Sequence, residues 1–187
     1  MEVASLAIAD VKLVRPKRFE DRRGYFSETY NRRQLAAAGI DLDFVQDNHS
    51  LSREALVLRG LHYQSAPHAQ AKLVRVVYGR ILDVAVDIRH GSPTFGKHVA
   101  VELSASDGAQ ILVPVGFAHG FITLEPMTEV AYKVTDYYEP ECDRGILWND
   151  PELAIDWPLD GCEPGLSDKD RRLVRLRDAP PAFQYEA

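Results

Sequence analysis

Between residues 44 and 138 the chain never sustains a helical period. It runs through short alternating or wholly apolar stretches: FVQDNHSLS, ALVLRGLHYQ, AKLVRVV, ILDVAVDI, KHVAVELS, AQILVPV, HGFITLE and TEVAYKVTDYY. Side chains that repeat every second residue mark strands, and the breaks between these runs carry turn chemistry. They are Tyr78-Gly79-Arg80, His90-Gly91-Ser92-Pro93 and Ser106-Asp107-Gly108. Turn signals at about eight to twelve residues belong to a sandwich or barrel. The expected fold class is all-β, an antiparallel double-sheet jelly roll with its core at about 44–138.

The flanks are different. NRRQLAAAG is the one convincing early helix, with Asn31 as cap, Leu35 and the alanines as filling, and Gly39 as stop. After residue 140 the chain turns irregular and rich in Pro, Asp and Gly. Trp148, Ile155 and Trp157 would be stranded in water unless this tail packs over the roll. With 187 residues and no linker or repeat, a single domain spanning 1–187 is expected. No run approaches the ~20 apolar residues of a membrane span. The start, MEVASLAIADVKLVRPK, has neither the basic leader nor the apolar core of an export signal, so a cytoplasmic address is expected. Cys142 and Cys162 have no second pair and are read as plain thiols. A net charge of −6 argues against a nucleic-acid partner. It leaves room for a nucleotide held by a few placed Arg and Lys residues.

Several polar residues interrupt the strand pattern where chemistry could reside. In VLRGLHYQ, strict alternation puts Arg59 and His62 on opposite faces. A bulge at Gly60 would turn both into one cavity. Taken alone, His62 reads as a hydrogen-bonded core histidine, and Lys72 in AKLVRVV reads equally well as a buried ammonium or as a chain whose head reaches water. In PVGFAHGF, Pro114, Gly116 and His119 have the P-x-G-x-x-H spacing of the second cupin motif. Cupins often hold a metal there, but the first motif here offers only His62, Tyr63, Gln64 and then His68. These do not assemble three or four ligands at the usual spacing, so no metal is expected. Tyr132, Val134, Asp136 and Tyr138 share a face of the last long strand. Tyrosines there are ordinarily packing residues, yet a base, a cation and a phenol in one cavity are what enolisation of a ketone requires.

These residues, together with RRGYFSE, QDNHS, LRGLHYQ, Ala71-Lys72, DIRHGSPTFGKH, PVGFAHGF, YKVTDYYEP, GILWNDP, IDWPL and LSDKD in order along nearly the whole chain, give it a clear likeness. The chain resembles the dTDP-4-dehydrorhamnose 3,5-epimerases, metal-free cupins of nucleotide-sugar metabolism. The resemblance implies a cupin-type roll, no cofactor, and a dTDP-linked sugar as partner. It implies that His62 is the general base, oriented by Asp170, that Tyr132 is the general acid, and that Lys72 lies near the 4-keto oxygen with His119 in the same pocket. Arg23 and Arg59 match positions that grip the pyrophosphate. Phe19, Glu28, Gln46, Asn48, Tyr138, Asp143 and Lys169 match substrate contacts. A homodimer is also implied, in which the N-terminal segment crosses over so that Phe26 and Glu28 complete the neighbour's site.

Two departures from the family pattern stand out: Asp143 where Glu is common, and Gly165-Leu166 where a bulkier pair precedes SDKD. The chemistry implied is proton removal beside the ketone at carbon 3 and then carbon 5, each followed by return from the opposite face. A mono-epimerase acting at one of these carbons is the near alternative, against which the retention of Tyr132 speaks. A non-catalytic sugar-nucleotide binder would show no solvent proton exchange, and a metal-dependent cupin would reveal itself by elemental analysis.

Overall fold

A computed structural model describes residues 1–186. The chain opens with β1 (Glu2–Ser5), β2 (Lys12–Arg15) and a hairpin of β3 (Arg18–Asp21) and β4 (Gly24–Ser27). Helix α1 (Arg32–Ala37) follows where expected: the Asn31 side chain accepts from Gln34 N at 3.2 Å, and Gly39 ends it at a φ of +87°. The roll then runs through β5 (Gln46–Ser52), β6 (Leu58–Gln64), β7 (Lys72–Tyr78), β8 (Arg80–Asp87), the short β9 (Arg89–His90), β10 (His98–Ser104), β11 (Gln110–Val113), β12 (Phe117–Thr123) and β13 (Thr128–Val134). The tail holds β14 (Asp143–Gly145), 3-10 turns at Asp170–Arg172 and Leu176–Asp178, and β15 (Phe183–Gln184).

A six-stranded sheet ordered β1-β2-β11-β7-β13-β5 faces a five-stranded sheet ordered β10-β8-β12-β6-β14, antiparallel throughout. This is the expected jelly roll. The Tyr78-Gly79-Arg80 turn carries the chain from the six-stranded sheet at β7 to the five-stranded sheet at β8. Gly79 is required at that corner, because a Cβ there would stand 2.4 Å from Thr128 Oγ1 and the φ is +80°.

Burial follows the strand alternation. Val74, Val76, Ile81, Ala85, Ile111, Phe117, Phe121 and Val130 form the core between the sheets. Leu58, Leu61, Tyr63, Val84, Val86, Ala118 and Ile122 point out of the five-stranded sheet and are covered by Trp148, Ile155, Trp157 and Phe183 of the tail. The tail is therefore a third layer over an apolar outer face, as the stranded aromatics demanded. Helix α1 does the same for the other sheet, with Leu35 packed beside Leu73 and Leu112.

The end of β8 is pinned by a buried charge. Asp87 is fully buried and accepts from Arg89 N, Nε and Nη2, from Ser92 Oγ and from Thr94 Oγ1. Burial alone would raise its carboxyl, but these donors outweigh burial and hold it down at about 2. Arg89 also bonds Asp10 and stacks on Phe117 and Tyr185, tying both termini to the roll. The Asp87→Asn substitution is expected to destabilise the protein by about 2 to 4 kcal/mol at neutral pH. Since the folded carboxyl lies below its unfolded value, the stability is present above about pH 4 and is lost as pH falls toward 2. Thermal melts of both proteins across that window should converge at the acid end.

Candidate active site

One end of the space between the sheets is apolar; the other is lined by polar side chains on the same inward-facing register. From the five-stranded sheet, Arg59 and His62 on β6 and His119 on β12 point in, and from the six-stranded sheet Lys72 on β7 and Tyr132 on β13. Lys169 and Asp170 close the cavity from the tail, which encloses about 260 Å³. A second lobe of about 280 Å³ shares His62, Lys72, Tyr132 and Lys169 and extends past Gln46, Asn48, Tyr138 and Asp143. A larger hollow of about 330 Å³ lies among the outward side chains Asp47, His49, Arg75 and Lys133. Lys133 there is already paired to Asp47, and none of the base candidates of the inner cavity lines it.

The inward turn of both Arg59 and His62 comes from a bulge. His62 stands opposite His119 and Arg59 opposite Phe121, so β6 advances three residues while β12 advances two. The extra residue lies at Gly60, where φ is +130° and a Cβ would stand 2.5 Å from Gly120 Cα. Leu58, Leu61 and Tyr63 consequently share the outer face while Arg59 and His62 share the inner one.

His62 Nε2 lies 2.5 Å from Asp170 Oδ1, with 30% of the imidazole side chain exposed against 4% of the carboxylate. Burial would raise the Asp170 carboxyl, but hydrogen bonds from His62 and Ser167 and the charges of His62 and Lys169 hold it below the usual carboxylate value. An ionised carboxylate only accepts, so Nε2 carries the proton and Nδ1 of the neutral ring is a bare acceptor. Ser167 also receives Asp170 N at 3.1 Å and so sets the turn that aims the carboxylate. Burial raises the Tyr132 phenol, against Arg59 and with Asp143, which keeps it a proton donor. Burial pushes Lys72 down to about 8, opposed by Asp143 and Asp83 and assisted by Lys169. Its Nζ donates to the His62 carbonyl at 3.3 Å.

The second lobe is held just as definitely. Gln46 accepts from Tyr138 N at 3.1 Å and donates to Asn48 at 2.9 Å. Asp143 accepts from the Tyr138 hydroxyl at 3.0 Å and forms an ion pair with Lys169, so the shorter carboxylate still joins the tail to the rim. Arg59 donates to Ser52 Oγ and the Leu51 carbonyl. Phe19, Arg23, Phe26 and Glu28 are not brought to this cavity within the chain. The first three sit exposed on the β3–β4 hairpin, where Arg23 forks onto Asp21, and Glu28 accepts from Asn31 and Gln34. Among the described residues, no group of three or more His, Cys, Asp or Glu side chains is arranged to hold a metal. Nor is any described helix long and apolar enough to cross a membrane.

The family model described as dTDP-4-dehydrorhamnose 3,5-epimerase matches residues 5–178. The chain belongs to the dTDP-4-dehydrorhamnose 3,5-epimerase family. It is 53% identical to the Pseudomonas aeruginosa dTDP-4-dehydrorhamnose 3,5-epimerase over 180 residues, 96% of this chain and 98% of that protein. The Bacillus anthracis dTDP-4-dehydrorhamnose 3,5-epimerase, solved with TDP and PPi bound, is 51% identical over 93% of this chain and 98% of that one, with a TM-score of 0.90. The Legionella pneumophila dTDP-6-deoxy-D-glucose-3,5-epimerase, solved with dTDP-4-keto-L-rhamnose, is 46% identical over 100% of this chain and 99% of that one, at 0.94.

One carboxylate beside this cavity, bonded to His119, escaped the sequence reading. Asp83 stands in ILDVAVDI, and its signal was present: a carboxylate at an inward position of an otherwise apolar strand. Ser50, Phe121 and Ser167 were also passed over, since nothing in their type distinguishes them from packing or turn residues. The Gly60→Ala substitution should show how far this epimerase-family site depends on the bulge. It is expected to lower stability by roughly 2 to 4 kcal/mol, on the order of 10 °C in the melt. Turnover should fall by about 10² in the fraction that remains folded, because misplacing His62 by an ångström is enough. Calorimetry and a rate assay on the same sample measure the two effects separately.

Proposed function

We propose that this chain epimerises a dTDP-linked 4-keto-6-deoxyhexose at carbons 3 and 5, converting dTDP-4-dehydro-6-deoxyglucose to dTDP-4-dehydrorhamnose. The observation that carries the reading is that His62 and Tyr132 project from facing sheets into one cavity. A proton taken from one face of a sugar ring can then be replaced from the other, which is what inversion of a carbon centre requires. The relatives named for this activity at about half identity support the same substrate class.

His62 Nδ1 accepts the proton on a carbon beside the ketone, while Asp170 steadies the imidazolium that forms. The electron pair moves onto the 4-keto oxygen, where the Lys72 ammonium meets the growing negative charge. Tyr132 delivers a proton to the opposite face, solvent then takes the proton from His62 and restores one to Tyr132, and the cycle repeats at the second carbon. Substrate and product have the same oxidation level, so proton transfers alone balance the reaction. Positioned acid and base each contribute about 10² to 10⁴, and the enolate donor a few kcal/mol. In this reading the forked guanidinium of Arg59 in the first lobe holds a pyrophosphate oxygen, and the exposed Tyr138 in the second lobe is a further substrate contact.

The hairpin residues fit this reading only in a homodimer. Phe19, Tyr25 and Phe26 leave large apolar rings uncovered beside Arg23, and a partner's cavity is the place where they would be buried. Co-purified mixtures of Arg23→Ala and His62→Ala subunits test this directly. A shared site gives mixed dimers one intact cavity and restores activity above that of either variant alone; sites built within one subunit give no restoration.

Incubation with dTDP-4-keto-6-deoxyglucose in deuterated water, followed by proton NMR, tests the chemistry. Deuterium is expected at carbons 3 and 5, and His62→Ala and Tyr132→Phe should each slow the full reaction by at least about 10². Label at one carbon only would make the chain a mono-epimerase, and no label in the unaltered protein would overturn the assignment.

A further inference from the structure

The steps above leave unused one carboxylate that is buried against a cavity residue. Asp83 occupies the inner face of β8 between Ile81 and Ala85, wholly buried. Both of its oxygens face His119 Nε2, at 3.0 and 2.9 Å, and among the described residues no other side chain donates to it. An ionisable group in such a place is a poor packing residue, because desolvating it costs more than an apolar side chain of that size would return. What it acts on lies beside it.

Lys72 faces Arg59 and His62 from β6, Asp83 from β8, His119 from β12, Tyr132 from β13, Asp143 from β14, and Lys169 and Asp170 from the tail; β11 offers it no titratable group. Its one hydrogen bond is to the neutral His62 carbonyl, and among the described residues no carboxylate forms a direct ion pair with it. Asp143 is the stronger of the two that favour the charge, with Asp83 second. Asp143, however, is already bound by Lys169, which itself opposes the Lys72 charge. Asp170 is bound by His62. Asp83 has no Lys or Arg partner and lies where solvent does not screen it.

We propose that Asp83 is a positioning residue for the epimerisation, which fixes the His119 ring and supplies the negative charge that keeps Lys72 an ammonium. The inference rests on the reading of Lys72 as the partner of the enolate oxygen. A neutral amine there would give a weaker donor and no countercharge, so loss of the Lys72 proton should appear as the alkaline limb of the rate profile. The burial that pushes Lys72 down to about 8 leaves that charge only a narrow margin above neutrality.

The test is kcat/KM for deuterium incorporation from about pH 6 to about pH 10 in the unaltered protein, Asp83→Asn and Asp83→Glu. Asn keeps the volume and an acceptor for His119 but not the charge; Glu keeps the charge. The limb is expected to move down by about one pH unit in Asp83→Asn, an approximately tenfold loss at pH 8 relative to pH 6.5, and to return toward its original position in Asp83→Glu. An unmoved limb in Asp83→Asn, or an equal displacement in both variants, overturns the proposal. Should Asp83→Asn not fold, the Lys72 side-chain carbon resonance is titrated in the unaltered protein and in the smaller, likewise uncharged Asp83→Ser. A midpoint lower by about one unit in Asp83→Ser supports the proposal, and an unchanged one overturns it. If the unaltered protein exchanges no proton at any pH, the functional reading fails instead, and the same resonance in the unaltered protein and Asp83→Asn still decides the role of Asp83.

Discussion

Gly60 and Gly120 approach each other more closely than any pair bearing side chains could, and the reactive end of the roll is built on that contact. A Cβ on Gly60 would stand 2.5 Å from Gly120 Cα, and one on Gly120 would stand 2.7 Å from the Arg59 carbonyl oxygen. The close passage of β6 over β12 accommodates the additional residue of β6 and turns Arg59 and His62 to the same side. Without it, alternation would send one of them into the layer occupied by Leu58, Leu61 and Tyr63, where a charged or half-solvated ring has no partner. A backbone contact in the core thus decides which side chains meet the substrate space.

Two imidazole–carboxylate pairs then divide the cavity. His62 is partly exposed, and its Asp170 is further held by Ser167 and Lys169. The Asp170 anion is thereby favoured by more than the ring alone, as the role proposed for His62 requires. His119 is nearly buried, and its Asp83 has no such auxiliary donor. The same two residue types are held differently in the two places: Asp170 has Ser167 and Lys169 beside it as well as its imidazole, whereas among the described side chains only His119 bonds Asp83.

Much of this could be read from the chain before its structure. The alternation in TEVAYKVTDYY puts Tyr132 and Lys133 on opposite faces, and Trp148 and Trp157 announce that the tail must cover the roll. Gly60 predicted its own bulge because a glycine in an apolar strand has few other uses. Two kinds of feature were beyond this reading. That the turn at Gly79 changes sheets shows only in the pairing of distant strands. Asp83 carries its meaning through His119, thirty-six residues away, and local pattern does not report such a partner. Phe19, Arg23, Phe26 and Glu28 illustrate a third limit: their resemblance to substrate contacts is local, whereas the cavity they would serve is not formed by their own fold.

The roll separates its two tasks by position along the same strands. Within β7, Val74 and Val76 pack into the core while Lys72 opens onto the cavity; within β8, Ile81 and Ala85 pack on either side of Asp83; within β12, Phe117 and Phe121 flank His119. Each reactive side chain is therefore one pleat from a buried apolar neighbour that has almost no freedom to move. That spacing supplies rigidity, since facing sheets locked by an apolar core, against which Tyr132 itself packs, hold His62 and Tyr132 at a fixed separation. It also explains why the polar residues can be inward-facing at all. The apolar half of the interior and the two outer layers contribute the burial that folding requires, so the open half need not be optimal for stability and can be arranged for charge.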